Sequence, residues 1–282
     1  MKKDNLKEGE DIVHQEKPMA QHTGELIMKK QGRVTPKPNL IHRLLYDFGK
    51  LHFSLIDPDK QTPKQAGKIA QKCEEAGTHA ILVGGTTVPS QEMMYNTIKE
   101  IKNATNCPVI LFPNCAETVP ENLNYILFMM LVNAADEAFF RGEQVKGAPL
   151  IKAWNIQPIS TGYIIISTSE QPTAVERHVP LDKIRYSDVD KAVNYALYAE
   201  MSGMSCLYFE AGSGAERPVS NEMIQAVRTA VDIPIIVGGG IRDGDTAGEK
   251  IEAGADVIVT GTVIEENKQR LQEIIQAITS FK

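Results

Sequence analysis

From Asn39 to the C-terminus, short apolar runs alternate with longer amphipathic stretches. The runs at 52–57, 80–83, 109–112, 126–129, 163–166, 206–210, 235–237 and 257–260 read as eight strands. Several are apolar throughout instead of alternating, the pattern of a strand covered on both faces, as in a parallel sheet. Between them, 63–76, 90–104, 188–201, 221–230, 245–253 and 265–280 carry apolar residues at helical spacing. Glu75-Ala76-Gly77 and Glu252-Ala253-Gly254 place glycine where a left-handed residue closes a helix. Eight strand–helix alternations predict an α/β fold, a closed TIM-like (β/α)8 barrel in a single domain over 39–282. The connection from 133 to 162 is long and only partly helical in pattern.

Residues 1–38 have a different texture. They are polar, rich in Lys, Glu and Gln, and end in Thr35-Pro36-Lys37-Pro38, which predicts a weakly ordered extension. Met1 to Gly9 is charged and lacks the apolar stretch of a secretory leader. No run approaches the roughly 18–20 apolar residues that cross a bilayer. The expectation is a cytoplasmic protein without a transmembrane segment. A net charge of -6 argues against nucleic acid as a partner, while leaving room for a local basic pocket. Cys73, Cys107, Cys115 and Cys206 lie far apart with no CxxC pair, which predicts buried thiols and neither a zinc site nor disulfides. His42, His52, His79 and His178 have no metal-ligand spacing.

The chemistry gathers where strands stop. Strand six runs Tyr208-Phe209-Glu210-Ala211-Gly212-Ser213-Gly214, strand seven Ile236-Val237-Gly238-Gly239-Gly240-Ile241-Arg242, and strand eight Val259-Thr260-Gly261-Thr262. A strand that ends in glycine leaves backbone N–H groups uncovered, and successive glycine stops late in a barrel make a phosphate cradle. Arg242 suits either the phosphate or a solvated helix start. Alternation puts Tyr208 and Glu210 on one face and Phe209 on the other. A carboxylate beside a phosphate site repels the anion, so its use is to take or hold a hydroxyl proton, unless it is a salt-bridged structural group. Strand one ends in Asp57-Pro58-Asp59-Lys60, which offers a Mg2+ ligand and a cation for an anionic group, or a turn capped by Asp59. Gly84-Gly85-Thr86 after strand two brings an oxygen near Asp57, or is a capped glycine turn. Phe112, Phe128, Met129, Met130, Phe139, Phe140 and Trp154 suit core, a subunit contact or a groove for a long hydrocarbon.

The set 55–60, 84–86, 208–215, 236–242 and 259–262 resembles the geranylgeranylglyceryl phosphate synthase family, which joins archaeal ether-lipid enzymes to bacterial prenylglyceryl phosphate synthases. The similarity runs from about Leu51 to the C-terminus and points to the larger, often homo-oligomeric subgroup. It implies a prenyltransferase that joins the 3-hydroxyl of sn-glycerol 1-phosphate to a prenyl diphosphate, most often a geranylgeranyl donor, and releases diphosphate in ether phospholipid biosynthesis. The product would pass to a membrane. By the same resemblance Asp57 and Thr86 are the Mg2+ positions. Tyr208, Phe209, Glu210, Ala211, Gly212, Ser213 and Gly214, with Gly239, Gly240, Gly261 and Thr262, form the glycerol phosphate site. Glu210, Tyr208 and Lys60 are then the catalytic candidates. Two other readings stand beside this one: a different phosphate-binding barrel enzyme, an isomerase or a flavin-dependent one, and a non-catalytic scaffold for a phosphorylated ligand.

Overall fold

The computed structural model describes residues 38–85, 90–261 and 268–281. Eight parallel strands close into a barrel: β1 (Leu51–Ile56), β2 (Ala80–Val83), β3 (Val109–Leu111), β4 (Tyr125–Leu131), β5 (Gln157–Ser167), β6 (Cys206–Glu210), β7 (Ile235–Gly238) and β8 (Val257–Thr260). Each pairs with the next, and β8 returns to β1 with Leu51 opposite Val257 and Ser54 opposite Thr260. A two-residue strand, Ile184–Arg185, adds to the end of β5.

The pleat sorts β1 into two cores. Leu51, Phe53 and Leu55 join the barrel interior with Ile236, Val259 and Tyr208. Ile56 faces outward to the helical layer, against Ala66, Ala70 and Cys73. Helix α1 (Leu40–Phe48) starts at Asn39, whose Oδ1 accepts from the backbone N–H groups of Ile41 and His42. It buries Leu40, Ile41 and Leu44 in the same interior cluster as Leu51, Ala80, Cys206 and Val257. Those four are first residues of β1, β2, β6 and β8, so α1 plugs the N-terminal end of the barrel. Each of the three side chains contributes about 1.5–3 kcal/mol by leaving water.

Helix α2 (Pro63–Ala76) is written into its sequence. Thr62 and Gln65 form a reciprocal capping box, Pro63 occupies the first turn, and Gly77 at φ 99° closes the helix. Around the barrel follow α3 (Gln91–Ala104), α4 (Glu143–Ala153), α5 (Ala174–His178), α6 (Val189–Met201), α7 (Asn221–Ala230), α8 (Gly244–Glu252) and α9 (Lys268–Thr279). Between β3 and β4 only a short 3-10 turn, Ala116–Thr118, replaces a helix.

Two sequence expectations change. Strand five is 11 residues long and starts at Gln157, not at 163, because its first half pairs along all of β4 from Tyr125–Gln157 to Leu131–Tyr163. The connection before it holds a π-helical turn, Ala138–Gly142, running into α4, a helix the sequence pattern does not reveal. The cysteines are free thiols, Cys73 and Cys206 buried and Cys107 and Cys115 half-buried. The 1–38 extension lies outside the described residues except for Pro38. Among the described residues no helix is long and apolar enough to cross a membrane.

Candidate active site

A cavity of about 610 Å³ opens at the C-terminal ends of the strands. One side is polar and carries Asp57, Lys60, Glu210, Gly212, Ser213, Gly214, Gly239, Gly240 and Gly261. These are the residues that sequence reasoning assigned to phosphate, metal and base roles, and the fold brings them to one chamber. Phe209 and Ala211 are not on its surface: Phe209 packs in the outer core with Val237 and Ile164. Thr86 and Thr262 lie outside the described residues.

Glu210 ends β6 and is buried. Its Oε1 accepts from the Gly212 backbone N–H at 2.7 Å, and among the described residues no cation pairs with it. A salt-bridged structural glutamate is therefore not what the fold contains. Burial pushes its carboxyl up to about 7, against the opposing pull of the Gly212 N–H and the Tyr208 hydroxyl. A carboxyl in that position exchanges a proton near neutral pH, the property a general base needs.

Tyr208 stands on the same face, fully buried, and its hydroxyl finds no partner of good hydrogen-bond geometry. Its proximity to Glu210 still biases both groups: burial first and the Glu210 charge second hold the Tyr208 phenol well above its usual pKa. Tyr163, directly opposite Tyr208 in register on β5, is shifted upward by the same two causes. Phe112, Tyr163 and Tyr208 meet edge to face, with centroids 5.3 to 5.7 Å apart. This aromatic cluster locks the Tyr208 ring beside Glu210. Sequence reasoning missed Tyr163. Its signal was its position in an inward-facing register, which becomes readable only once β5 and β6 are paired.

The cradle is built by backbone that a side chain could not follow. Gly239 has φ 82°, and a Cβ there would lie 2.5 Å from Glu210 Oε1 and 2.7 Å from Gly212 N. Gly212, at φ 100°, would drive a Cβ into Thr173, the residue that caps α5. Arg242 donates to the Ala215 carbonyl at 2.7 Å and lies 3.4 Å from the Gly214, Glu216 and Gly240 carbonyls. It ties the loop after β6 to the loop after β7. Arg217 does the same toward β5, donating twice to Thr168 O while its guanidinium stacks 4.5 Å from the Tyr186 ring.

Across the mouth, Asp57 is half-buried. Burial raises its carboxyl above the usual value, opposed by the Asp59 N–H and by Lys60. A Cβ on Gly85 would meet the Asp57 carboxylate at 2.5 Å, so the glycine lets the β2 loop lie directly on it. Among the described residues no three His, Cys, Asp or Glu side chains form a metal cluster. A single carboxylate on a chamber wall suits an ion that completes its shell with substrate phosphate and water, as Mg2+ does.

The other side of the cavity is apolar. Leu127, Met129 and Leu131 line it from the inner face of β4, while Ile126 and Phe128 line it from the outer face. It therefore continues past the barrel wall, into the space next to the 3-10 turn, where Ala116, Val119, Gly147 and Ile151 line it. Of the aromatic and Met residues singled out in the sequence, Phe112, Phe128, Met129 and Phe139 line this arm. Met130 and Phe140 pack on the outer core, and Trp154 packs behind α4.

The PcrB family model matches residues 46–280. The geranylgeranylglyceryl phosphate synthase of Pyrococcus abyssi is 43% identical over 231 residues, 80% of this chain and 90% of that protein. That of Thermococcus sibiricus is 39% identical over 263 residues, 89% and 98% of the two chains. Among solved structures, the (S)-3-O-geranylgeranylglyceryl phosphate synthase of Thermoplasma acidophilum in complex with its substrate sn-glycerol-1-phosphate superposes with a TM-score of 0.81 at 34% identity. It covers 86% of this chain and 99% of the other. Wild-type GGGPS from Thermoplasma volcanium gives the same TM-score at 37% identity, over 87% and 99% of the two chains. With a family model across most of its length and close relatives covered nearly end to end, the chain belongs to the PcrB family, together with the geranylgeranylglyceryl phosphate synthases.

Proposed function

We propose that this protein joins the 3-hydroxyl of sn-glycerol 1-phosphate to a prenyl group, geranylgeranyl for preference, taken from its diphosphate. The observation that carries the reading is one chamber lined by a buried carboxyl, a glycine cradle and an apolar wall. A small phosphorylated alcohol and a greasy diphosphate are the pair of substrates that such a chamber fits. The relatives named above carry this activity in their names, and the Thermoplasma acidophilum enzyme binds sn-glycerol-1-phosphate.

In this reading the backbone N–H groups of 213–214, 239–240 and 261–262 hold the glycerol phosphate, while the Gly212 N–H stays on Glu210. The C3 hydroxyl then lies against Glu210, and Tyr208 walls the site so that only one orientation fits. The bond from the allylic carbon to the diphosphate oxygen breaks, and a bond from that carbon to the glycerol oxygen forms. The hydroxyl proton passes to Glu210, and diphosphate leaves. Lys60 supplies positive charge to the departing group. Asp57 and Thr86 would hold Mg2+, which supplies neutralisation of diphosphate charge. Positioning two substrates in one orientation accounts for up to roughly 7–11 kcal/mol of barrier in favourable cases.

The test is to incubate the protein with sn-glycerol 1-phosphate and geranylgeranyl diphosphate, with and without Mg2+, and to identify products by mass spectrometry. The ether product and equimolar diphosphate are expected. No ether from any prenyl donor would overturn the reading.

A further inference from the structure

The apolar arm exists because the β3–β4 crossing has a 3-10 turn where a helix would fill the space. Part of its wall is made where two segments that are distant in sequence meet, the turn at Ala116 and helix α4. A Cβ built on Gly147 would lie 3.5 Å from Ala116 Cβ, so the segments are already near van der Waals contact. One helical turn earlier, on the same face of α4, Glu143 Oε2 accepts from the Ala116 backbone N–H at 2.8 Å. Its other oxygen takes the Lys146 ammonium at 2.6 Å. Among the described residues no other hydrogen bond joins the turn to α4. Burial of Glu143 works against its charge, but the Lys146 and Ala116 donors outweigh it and hold the carboxyl below its usual pKa. Gln144 fastens the same helix turn to the Met129 carbonyl at the end of β4.

We infer that Glu143 is a positioning residue that sets the length of prenyl chain the enzyme accepts, by clasping Ala116 and keeping that part of the apolar arm's wall shut. This rests on the transferase reading above. It adds a residue that touches neither the glycerol phosphate cradle nor the reacting carbon. Without the clasp, the turn and α4 are held together by apolar packing alone, and a longer chain can part them.

The same hydrogen bond can be removed from either side. Glu143→Ala deletes the acceptor. Ala116→Pro deletes the donor at a position that tolerates proline: it opens the 3-10 turn, and Cys115 before it is extended at φ −149°, ψ 161°. Glu143→Gln keeps an oxygen that accepts the Ala116 N–H, and Lys146→Ala removes only the exposed ion pair. Each variant is given sn-glycerol 1-phosphate and an equimolar mixture of farnesyl, geranylgeranyl and farnesylgeranyl diphosphates, and thermal unfolding confirms the fold.

Glu143→Ala and Ala116→Pro are expected to raise the ratio of longest to shortest product about five- to tenfold, the size of one net hydrogen bond. KM for glycerol phosphate stays unchanged. Glu143→Gln and Lys146→Ala keep wild-type ratios, and the double variant Glu143→Ala, Ala116→Pro goes no further than either single. Wild-type ratios in both folded single variants would overturn the inference alone. A wild-type protein that makes no ether from any donor would instead overturn the transferase reading, and this inference with it.

Discussion

His52 and Glu210 are both buried, both titratable and both carried on barrel strands, yet their surroundings are built to different ends. The His52 ring is held between Thr78 Oγ1 at 3.0 Å and Thr260 Oγ1 at 2.9 Å, and Ser54 donates to the same Thr78 hydroxyl. Nearby, at the plugged end of the barrel, Asn39 donates to Ser205, and Ser205 donates to the Ser160 carbonyl. Every one of these polar groups has its partner inside the protein. Glu210 has one backbone donor, and the Tyr208 hydroxyl next to it has none. Buried polar groups without partners cost about 1–3 kcal/mol each, so folds keep them where a substrate will supply the missing contacts. The contrast sets a carboxyl left open to a substrate against a histidine whose partners are all internal.

The first way to break this comparison is Glu210→Gln. General base assistance contributes about 10²–10⁴-fold, so turnover is expected to fall by that factor with the fold intact. Near-wild-type turnover would remove Glu210 from its role. In the wild-type protein kcat/KM should rise with pH through about 7, as Glu210 loses its proton. His52→Gln removes a partner of Thr260, which lines the cavity beside Gly261, but no group that meets the reacting atoms, and should lower turnover far less than Glu210→Gln.

The second test uses stability, because the two groups shift in opposite senses. Burial raises Glu210 from 4.5 to about 7, so between those values the folded protein holds a proton that the unfolded chain has lost. Stability therefore falls as pH rises through this window. Burial, with a smaller contribution from His79, lowers His52 from 6.5 to about 3. The unfolded chain then gains a proton that the folded protein refuses, and stability falls as pH drops through that window. Each slope is about 1.4 kcal/mol per pH unit at most, and between about pH 4.5 and 6.5 they offset. Denaturant unfolding of the wild type should therefore lose less stability toward acid there than a protein without the Glu210 carboxyl. Glu210→Gln should expose the His52 slope, losing stability toward acid, with His42 and His79 adding the same sign. His52→Gln should lose most of that acid penalty and show the opposite trend. Identical pH profiles for all three proteins would end the comparison.

Much of this layout was readable in the sequence, for identifiable reasons. The continuous apolar runs of β2, β6 and β8 and the capping signals of α2 placed those elements residue by residue. The glycine stops after β6, β7 and β8 located the cradle. What stayed hidden depended on contacts between distant segments. The first half of β5, Gln157 to Gly162, reads as a polar, proline-containing loop. It is a strand because β4 pairs with it along its whole length, and Gly162 is needed where a Cβ would lie 2.8 Å from Ala199. Helix α4 contains Gly147 and Pro149, two breakers. At Gly147 an added Cβ would make only ordinary contact with Ala116, at 3.5 Å, so packing does not demand the glycine. Pro149 removes the donor for the Val145 carbonyl, and Val145 is exposed, so water can replace it. Tyr163 and Glu143 gain their roles only from such pairings.

The smaller effects sharpen the comparison within a single residue type. Gly239 at the mouth and Gly203 between α6 and β6 have nearly the same backbone, φ 82° and 80°. An added Cβ meets Glu210 and Gly212 at Gly239, but nothing within 4 Å at Gly203. Gly239→Ala carries the left-handed backbone cost of about 1–2 kcal/mol plus displacement of the Glu210 carboxylate. It should lower stability by about 2–4 kcal/mol and raise KM for glycerol phosphate. Gly203→Ala carries the backbone cost alone, about 1–2 kcal/mol in stability, with kinetics unchanged. If instead the two substitutions proved equal in stability and both kinetically silent, the close approach at Gly239 would be only a feature of the turn. The cradle would then not depend on the fit between that glycine and Glu210.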